Sequence, residues 1–230
     1  MNKKILKNKK VAVVIGATGN LGIAIVAALK KEGYEIDEIW NDADHPDATV
    51  ASSYTKLPSR IDMAVYAAGI NLVKPVQEVT EQEWDAVMDV NLRGAFLFAR
   101  AAYEGLKAAK GTFVTISSMN SLHPYPNRIA YATSKAAIEG LTRELAVEWG
   151  QYGISTHSIR LGPLNKLMKT TKANPVILEA TKKRVLHHEL IPPEAVADYI
   201  VMLGDGKAKW VSGSVIDFDA GFTINAYPLL

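Results

Sequence analysis

A strand, a glycine-rich turn and a helix follow one another directly near the N-terminus. The run Val11-Ala-Val-Val-Ile15 is continuous and mostly β-branched, as in strands that are buried on both faces of a sheet. It leads at once into Gly16-Ala-Thr-Gly19-Asn-Leu-Gly22 and then into apolar residues at helical spacing over residues 21–30. This order predicts an α/β protein that is built on a parallel sheet.

The same alternation continues along the chain. Further strands are predicted at residues 35–40, 49–51, 62–66, 112–117, 154–159 and 214–218, and further helices at 80–89, 92–109, 130–149 and 194–203. A chain of 230 residues with 48% hydrophobic residues can bury one large core, so a single domain over 1–230 with a doubly wound sheet is expected. Residues 163–193 have weak periodicity after a strand, which suits a substrate lid.

Composition excludes several classes of partner. The 26 basic and 24 acidic side chains leave a net charge of +2, which gives no electrostatic reason to expect nucleic acid or an anionic membrane as a main partner. A small-molecule substrate is the more natural inference. The absence of cysteine removes thiolate chemistry, and no apolar run approaches the roughly 20 residues that span a bilayer. A cytoplasmic protein is therefore expected.

The glycine-rich turn has the context of a dinucleotide-binding loop, because it lies between a strand and a helix. Small residues let the backbone approach a pyrophosphate, whose negative charge is stabilised by the helix N-terminus. A merely tight turn is the alternative. The predicted cofactor contacts in this loop are Gly16, Thr18, Gly19, Asn20, Leu21 and Gly22.

The ribose of the cofactor calls for an acidic residue about 20 positions beyond the loop. Asp42 is the candidate, and a solvated loop carboxylate is the alternative. The surrounding segment, residues 33–55, contains six carboxylates and no Lys or Arg. Because a 2′-phosphate would find no cationic partner there, the sequence favours NAD over NADP.

Tyr131 and Lys135 are predicted to lie on one face of a helix, four residues apart. A nearby ammonium favours the charged form of a phenol, which predicts a lowered pKa for Tyr131. Such a phenol can exchange a proton with a carbonyl or hydroxyl oxygen. Taken alone, the spacing is more often a packed Tyr beside a surface Lys, but Ser118 at the end of a predicted strand and the glycine-rich loop favour the catalytic interpretation.

These motifs together resemble the short-chain dehydrogenase/reductase family of the classical type, over nearly the whole chain. Besides the loop at residues 16–22, the resemblance rests on Tyr66-Ala-Ala-Gly69, on Asn91 in Val-Asn-Leu-Arg-Gly, on the thirteen-residue spacing from Ser118 to Tyr131, and on the segment 210–221. Tyr66 stands where the family has an asparagine, and the region between residues 41 and 60 is short, with one flanking helix expected to be reduced to a turn.

The resemblance implies a Rossmann-like fold and an NAD(P)-dependent oxidoreductase. It implies that Tyr131 is the general acid/base, that Lys135 lowers its pKa and holds the nicotinamide ribose, that Ser118 orients the substrate oxygen, and that Asn91 helps to retain a relay water. Ala67, Ala68, Gly69, Gly162 and Leu164 are added as cofactor contacts, the last through backbone groups. A homodimer or homotetramer is expected on this basis only.

Two other functions remain open. A non-catalytic dinucleotide-binding regulatory or scaffold protein would have kept the fold and lost turnover. A family member that modifies sugar nucleotides is suggested by the loop sequence, although the short C-terminal part disfavours it. No metal site is predicted, because His187 and His188 are adjacent and would point about 100° apart on a helix.

Overall fold

Six parallel strands form one sheet in this computed structural model, which describes residues 9–37, 47–165 and 175–226. The spatial order is β2-β1-β3-β4-β5-β6, and every neighbouring pair is parallel. The strands are β1 (Val11–Ile15), β2 (Glu35–Ile36), β3 (Met63–Tyr66), β4 (Thr112–Ser118), β5 (Ser155–Leu161) and β6 (Val215–Phe218). The predicted α/β fold with a parallel sheet is confirmed.

Helices cover both faces of the sheet. They are α1 (Asn20–Lys31), α2 (Glu81–Met88), α3 (Gly94–Ala109), α4 (Ile129–Trp149), α5 (Pro175–Arg184) and α6 (Pro193–Leu203). Successive strand residues point to opposite faces, so Val14 packs with α1 and α6, while Val13 packs with α3 and α4. This two-sided burial explains why β1 is continuously apolar.

The strand order reverses beside β1. Its neighbours are β2 on one side and β3 on the other, and the chain leaves the carboxyl ends of β1 and β3 toward opposite faces. A crevice therefore opens at this edge, next to Gly16 and Ala67, where ligands bind in open α/β sheets.

The predicted capping box at the start of α2 is confirmed. Thr80 Oγ1 accepts a hydrogen bond from the Glu83 amide at 3.2 Å, and Glu83 Oε2 accepts one from the Thr80 amide at 2.9 Å. A π-helical turn, Asp89–Arg93, joins α2 to α3, and it contains the buried Asn91.

The strand predicted at residues 49–51 is wrong. That stretch forms a turn and a 3-10 helix, Ala51–Tyr54, because local hydrogen bonds satisfy its backbone. Asp47 Oδ1 accepts from the Thr49 amide at 2.9 Å, and Ser53 Oγ donates to the Asp47 carbonyl at 2.7 Å. The strand predicted at 35–40 is present at its start, as β2, and residues 38–46 lie outside the described part of the chain.

Among the described residues, no helix is both long and apolar enough for a membrane crossing. The same residues contain no group of three or more side chains that could hold a metal ion.

Candidate active site

A cavity of about 420 Å³ lies at the carboxyl edge of the sheet, in the crevice beside β1. At one end it is lined by the glycine-rich loop, and at the other by the end of β4 and the first turns of α4. The predicted residues that line it are Gly16, Gly19, Asn20, Leu21, Gly22, Ala67, Gly69, Ser118, Tyr131, Lys135, Gly162 and Leu164. One cavity thus joins both groups of predicted residues.

The glycine-rich loop has a backbone that side chains would not allow. Gly16 has a φ of 84°, and a Cβ on it would lie 2.6 Å from the amide nitrogen of Ala68. A Cβ on Gly22 would lie 2.1 Å from the Gly16 carbonyl oxygen. The loop then enters α1, whose first turn carries no acidic side chain. This cradle fits a pyrophosphate, because backbone and helix dipole favour an anion there.

Two predicted cofactor contacts do not line the cavity, and a third lies outside the described residues. Thr18 is exposed, and Ala68 lies beneath Gly16 without lining the cavity. Asp42, the predicted ribose ligand, lies outside the described residues.

The Lys135 side chain is buried and crosses the floor of the cavity. Its Nζ donates to the Ile116 carbonyl at 2.7 Å and lies 5.7 Å from the centre of the Tyr131 ring. Burial lowers the pKa of Lys135 to about 8. An ammonium has three donors, and with one used by Ile116, two can serve the hydroxyls of a bound ribose.

The predicted direction of the Tyr131 pKa is wrong for the protein as described. Burial raises the pKa of Tyr131, and a hydrogen bond with Ser118 and the positive charge of Arg128 offset the burial only in part. The positive charge of Arg128 thus lowers the pKa of this phenol, while Lys135 Nζ lies 5.7 Å from the centre of its ring. Lys135 is directed toward Ile116, and its own burial disfavours its charge.

Asn91 is buried and connects three elements. Its Nδ2 donates to the Ile70 carbonyl and to Ser134 Oγ, both at 2.9 Å, and its Oδ1 accepts from the Ile70 amide at 2.8 Å. Both Nδ2 hydrogens are used in this way. The side chain holds the segment after β3 against α4, and a water could meet it only at Oδ1 or at the backbone.

Leu161 and Gly162 form another part of the cavity wall. The Gly162 amide donates to the Phe218 carbonyl at 3.0 Å, and a Cβ on Gly162 would lie 2.6 Å from Asp219 Cα. Beyond it, Leu164 pairs with Ile191, which brings the two ends of the predicted lid together. Residues 166–174 of that lid lie outside the described chain, and its described part contains α5.

A buried ionic network behind Ser118 escaped the sequence analysis. Glu139 on α4 accepts hydrogen bonds from Ser117 Oγ at 2.7 Å, from Ser121 Oγ, and from Arg160 at 2.9 and 3.0 Å. Arg160 also pairs with Asp217 at 2.6 Å. Although burial raises the pKa of Glu139, the hydrogen bonds from Arg160, Ser121 and Ser117 outweigh it, and the net pKa is lowered.

This network could have been suspected from one signal in the sequence. Arg160 directly follows the strand predicted at residues 154–159, and a cation at the end of a buried strand requires a partner. The partner itself, Glu139, is 21 residues away and is identified only by the fold.

Comparison with known proteins agrees with this geometry. Residues 23–223 match a family model described as enoyl-(acyl carrier protein) reductase. An uncharacterized oxidoreductase of Thermotoga maritima is 33% identical over 88% of this chain and 83% of its own, and a cyclopentanol dehydrogenase of Comamonas is 30% identical over 89% and 84%.

A solved structure from Beutenbergia cavernae, a candidate NAD(P)-dependent gluconate 5-dehydrogenase with bound NADP at low occupancy, superposes with a TM-score of 0.84. It is 28% identical, and the match covers 94% of this chain and 97% of that one. The chain therefore belongs to the short-chain dehydrogenase/reductase family of oxidoreductases.

Proposed function

We propose that the protein interconverts a secondary alcohol and the matching ketone with a nicotinamide cofactor, and that Tyr131 is the general acid/base. The observation that carries this proposal is the single cavity that joins the glycine-rich cradle to Ser118, Tyr131 and Lys135. When bound, the cofactor supplies or accepts the hydride at the nicotinamide ring.

The protein's own residues handle the oxygen and its proton. In the oxidation, the substrate hydroxyl gives its proton to the Tyr131 oxygen; in the reduction, the Tyr131 phenol gives a proton to the carbonyl oxygen. Ser118 shares a hydrogen bond with this phenol, so its hydroxyl lies where it can hold the same substrate oxygen. The raised pKa of Tyr131 keeps the phenol protonated at neutral pH in the free protein, which suits the reduction.

Three finer assignments belong to this proposal. NAD is favoured over NADP because residues 33–55 carry six carboxylates and no basic residue, and Asp42 is the proposed ribose ligand. A homodimer or homotetramer is supported by exposed apolar side chains on α3 and α4, such as Phe96 and Val147. A cytoplasmic location rests on composition, because the chain has no cysteine.

The test is a Tyr131→Phe variant, with Tyr152→Phe as the control at a partly exposed tyrosine outside the cavity. We expect Tyr131→Phe to lower turnover, measured as absorbance at 340 nm, by about 10²- to 10⁴-fold, because general acid–base catalysis contributes that much. Calorimetric titration should show that the variant still binds NADH. Full turnover in Tyr131→Phe would exclude the assigned role, and a wild-type protein that binds neither NADH nor NADPH would overturn the proposed function.

A further inference from the structure

The substrate end of the active-site cavity carries a positive charge that the proposed proton transfer does not explain. Among the described residues, the charged side chains that line the cavity are Lys135 and Arg128, and no described carboxylate lines it. A second cavity of about 750 Å³ adjoins it and shares Asn120, Tyr125 and Arg128 with it. Of the described residues that line this second cavity, Arg128 is the charged one. Arg128 therefore forms part of the wall of both cavities.

Arg128 differs from the other partly buried arginines in having no side-chain partner within the described part of the chain. Arg160 is paired with Glu139 and Asp217, and Arg184 Nε donates to the Phe222 carbonyl at 3.0 Å. Arg128 is half-buried at the start of α4, and within the described part of the chain no carboxylate pairs with it and no hydrogen bond satisfies it. A partly buried cation is costly without an anion, so a bound anion would stabilise it.

Asn120 provides an independent indication of a ligand at the same place. It is 7% exposed, it lines both cavities, and its Oδ1 is buried without a hydrogen-bond partner among the described residues. Buried polar atoms are almost always hydrogen-bonded in folded proteins. A hydroxyl group can satisfy a side-chain amide in either orientation, because it both donates and accepts.

We infer that the substrate is a hydroxylated carboxylic acid, whose carboxylate is bound by Arg128 and whose second hydroxyl is bound by Asn120. This inference rests on the proposed function and names the substrate class for the same site. A guanidinium holds a carboxylate through two parallel hydrogen bonds, and its single charge matches a monoanion, whereas a phosphate dianion would keep an unbalanced charge.

The two similar proteins leave this choice open. The name of one specifies cyclopentanol, a neutral alcohol, and that of the other gluconate, a hydroxylated acid. The charge and the unsatisfied amide in this chain select the second class.

The experiment compares pairs of compounds that differ in charge and not in shape. Threonate, gluconate and 3-hydroxybutyrate are each assayed with NAD⁺ against the corresponding amide, in the wild type, Arg128→Gln, Arg128→Lys and Arg143→Gln. Arg143 is exposed on the same helix and lines neither cavity, so its variant is the matched control. The readout is the ratio of kcat/KM for acid over amide.

We expect the wild type to prefer an acid, and Arg128→Gln to lower the ratio about 10- to 100-fold, mainly through KM. Arg128→Lys should keep part of the preference for acids, because lysine keeps the positive charge but lacks the two parallel N–H donors of the guanidinium. Asn120→Leu should raise KM for threonate and gluconate more than for 3-hydroxybutyrate, which has one hydroxyl. Thermal melts of each variant identify any that fail to fold.

Three results separate failure of this inference from failure of the proposed function. Oxidation of amides with no preference for acids overturns the inference and leaves the oxidoreductase intact. If Arg128→Gln and the wild type have the same acid-to-amide ratio, Arg128 does not bind the carboxylate, and the oxidoreductase activity is again left intact. If cyclopentanol, the acids and the amides are all unreactive although NADH binds, the proposed function itself fails.

Discussion

Lys135 is an ionisable group that the fold holds at the expense of stability. Its ammonium is buried and makes one hydrogen bond to the protein among the described residues, to the Ile116 carbonyl. Glu139, one turn further along α4, is buried as well but is matched by Arg160. The difference is functional, because an unmatched ammonium keeps its donors for a ligand while a matched carboxylate only holds the scaffold together.

Replacing Lys135 by Met should stabilise the free protein at pH 7 while abolishing turnover. The folded pKa of about 8 lies below the ordinary lysine value of 10.5, so the folded protein binds fewer protons and its stability rises with pH across that interval. Below pH 8 the buried charge costs the wild-type protein about 3 kcal/mol. The variant removes this cost but also loses the hydrogen bond to the Ile116 carbonyl, which is worth about 1 kcal/mol. Urea unfolding should therefore show a gain of about 1 to 2 kcal/mol at pH 7 that shrinks toward pH 10.5.

Lys183→Met, at an exposed lysine on α5, is the control and should leave that pH dependence unchanged. A loss of stability in Lys135→Met at pH 7 would mean that the ammonium is well satisfied in the folded protein.

At the scale of elements, the junction between β3 and α3 is adapted to Tyr66. Its ring is fully buried against Phe98, and its hydroxyl donates to the Val90 carbonyl in the π-helical turn. Gly94 begins α3 directly against this hydroxyl, and a Cβ there would lie 2.2 Å from Tyr66 Oη. The turn at residues 47–55 closes the same pocket, since Tyr54 also packs on Phe98. A tyrosine in the family's asparagine position is thus accommodated by a glycine and a shortened segment.

Gly94→Ala should destabilise the protein by about 1 to 3 kcal/mol, because the new methyl group overpacks a rigid site. Tyr66→Phe removes the oxygen that it would strike, so the double variant should show a favourable coupling of about 1 kcal/mol in denaturant unfolding. Gly140→Ala on α4 is the matched control, since a Cβ there meets nothing within 4 Å and the substitution should be neutral or stabilising. Additive losses in the double variant would contradict the close contact.

For the whole molecule, acid stability should depend on one buried histidine, which lies on the strand next to an edge of the sheet. His157 on β5 is fully buried, and neither ring nitrogen has a hydrogen-bond partner in good geometry among the described residues. Burial lowers its pKa to about 4, and an interaction with the backbone of Val211 offsets this only in part. The folded protein thus excludes a proton that the unfolded chain accepts below pH 6.5.

The resulting loss of stability should appear as the pH falls from about 6.5 to 4 and should reach about 3 kcal/mol. His157→Val should flatten this acid limb in thermal or urea unfolding, whereas His187→Gln, at an exposed position, should not. If the stability of His157→Val falls as steeply at acid pH as that of the wild type, groups other than His157 cause the loss.

Much of the fold was predictable because its signals are local. The run Val11–Ile15, the glycines that follow it and the capping box at Thr80 each specify their own backbone through sterics and near-neighbour hydrogen bonds. The predicted strand at 49–51 was wrong because side chains of Asp47 and Ser53 bond to the nearby backbone and compete with a ladder.

The sequence by itself determined the parallel α/β architecture, because the order of its elements suffices for that. It also predicted the set Ser118, Tyr131 and Lys135, from the motifs and the family resemblance together. Only the tertiary structure decided how these groups are charged and what surrounds them. The raised pKa of Tyr131, the pairing of Glu139 with Arg160, and the position of Arg128 beside Asn120, with no described side chain paired to it, depend on burial and on contacts between segments far apart in the chain. Burial and the pairing of side chains depend on three-dimensional packing, and the neighbouring residues in the sequence do not specify them.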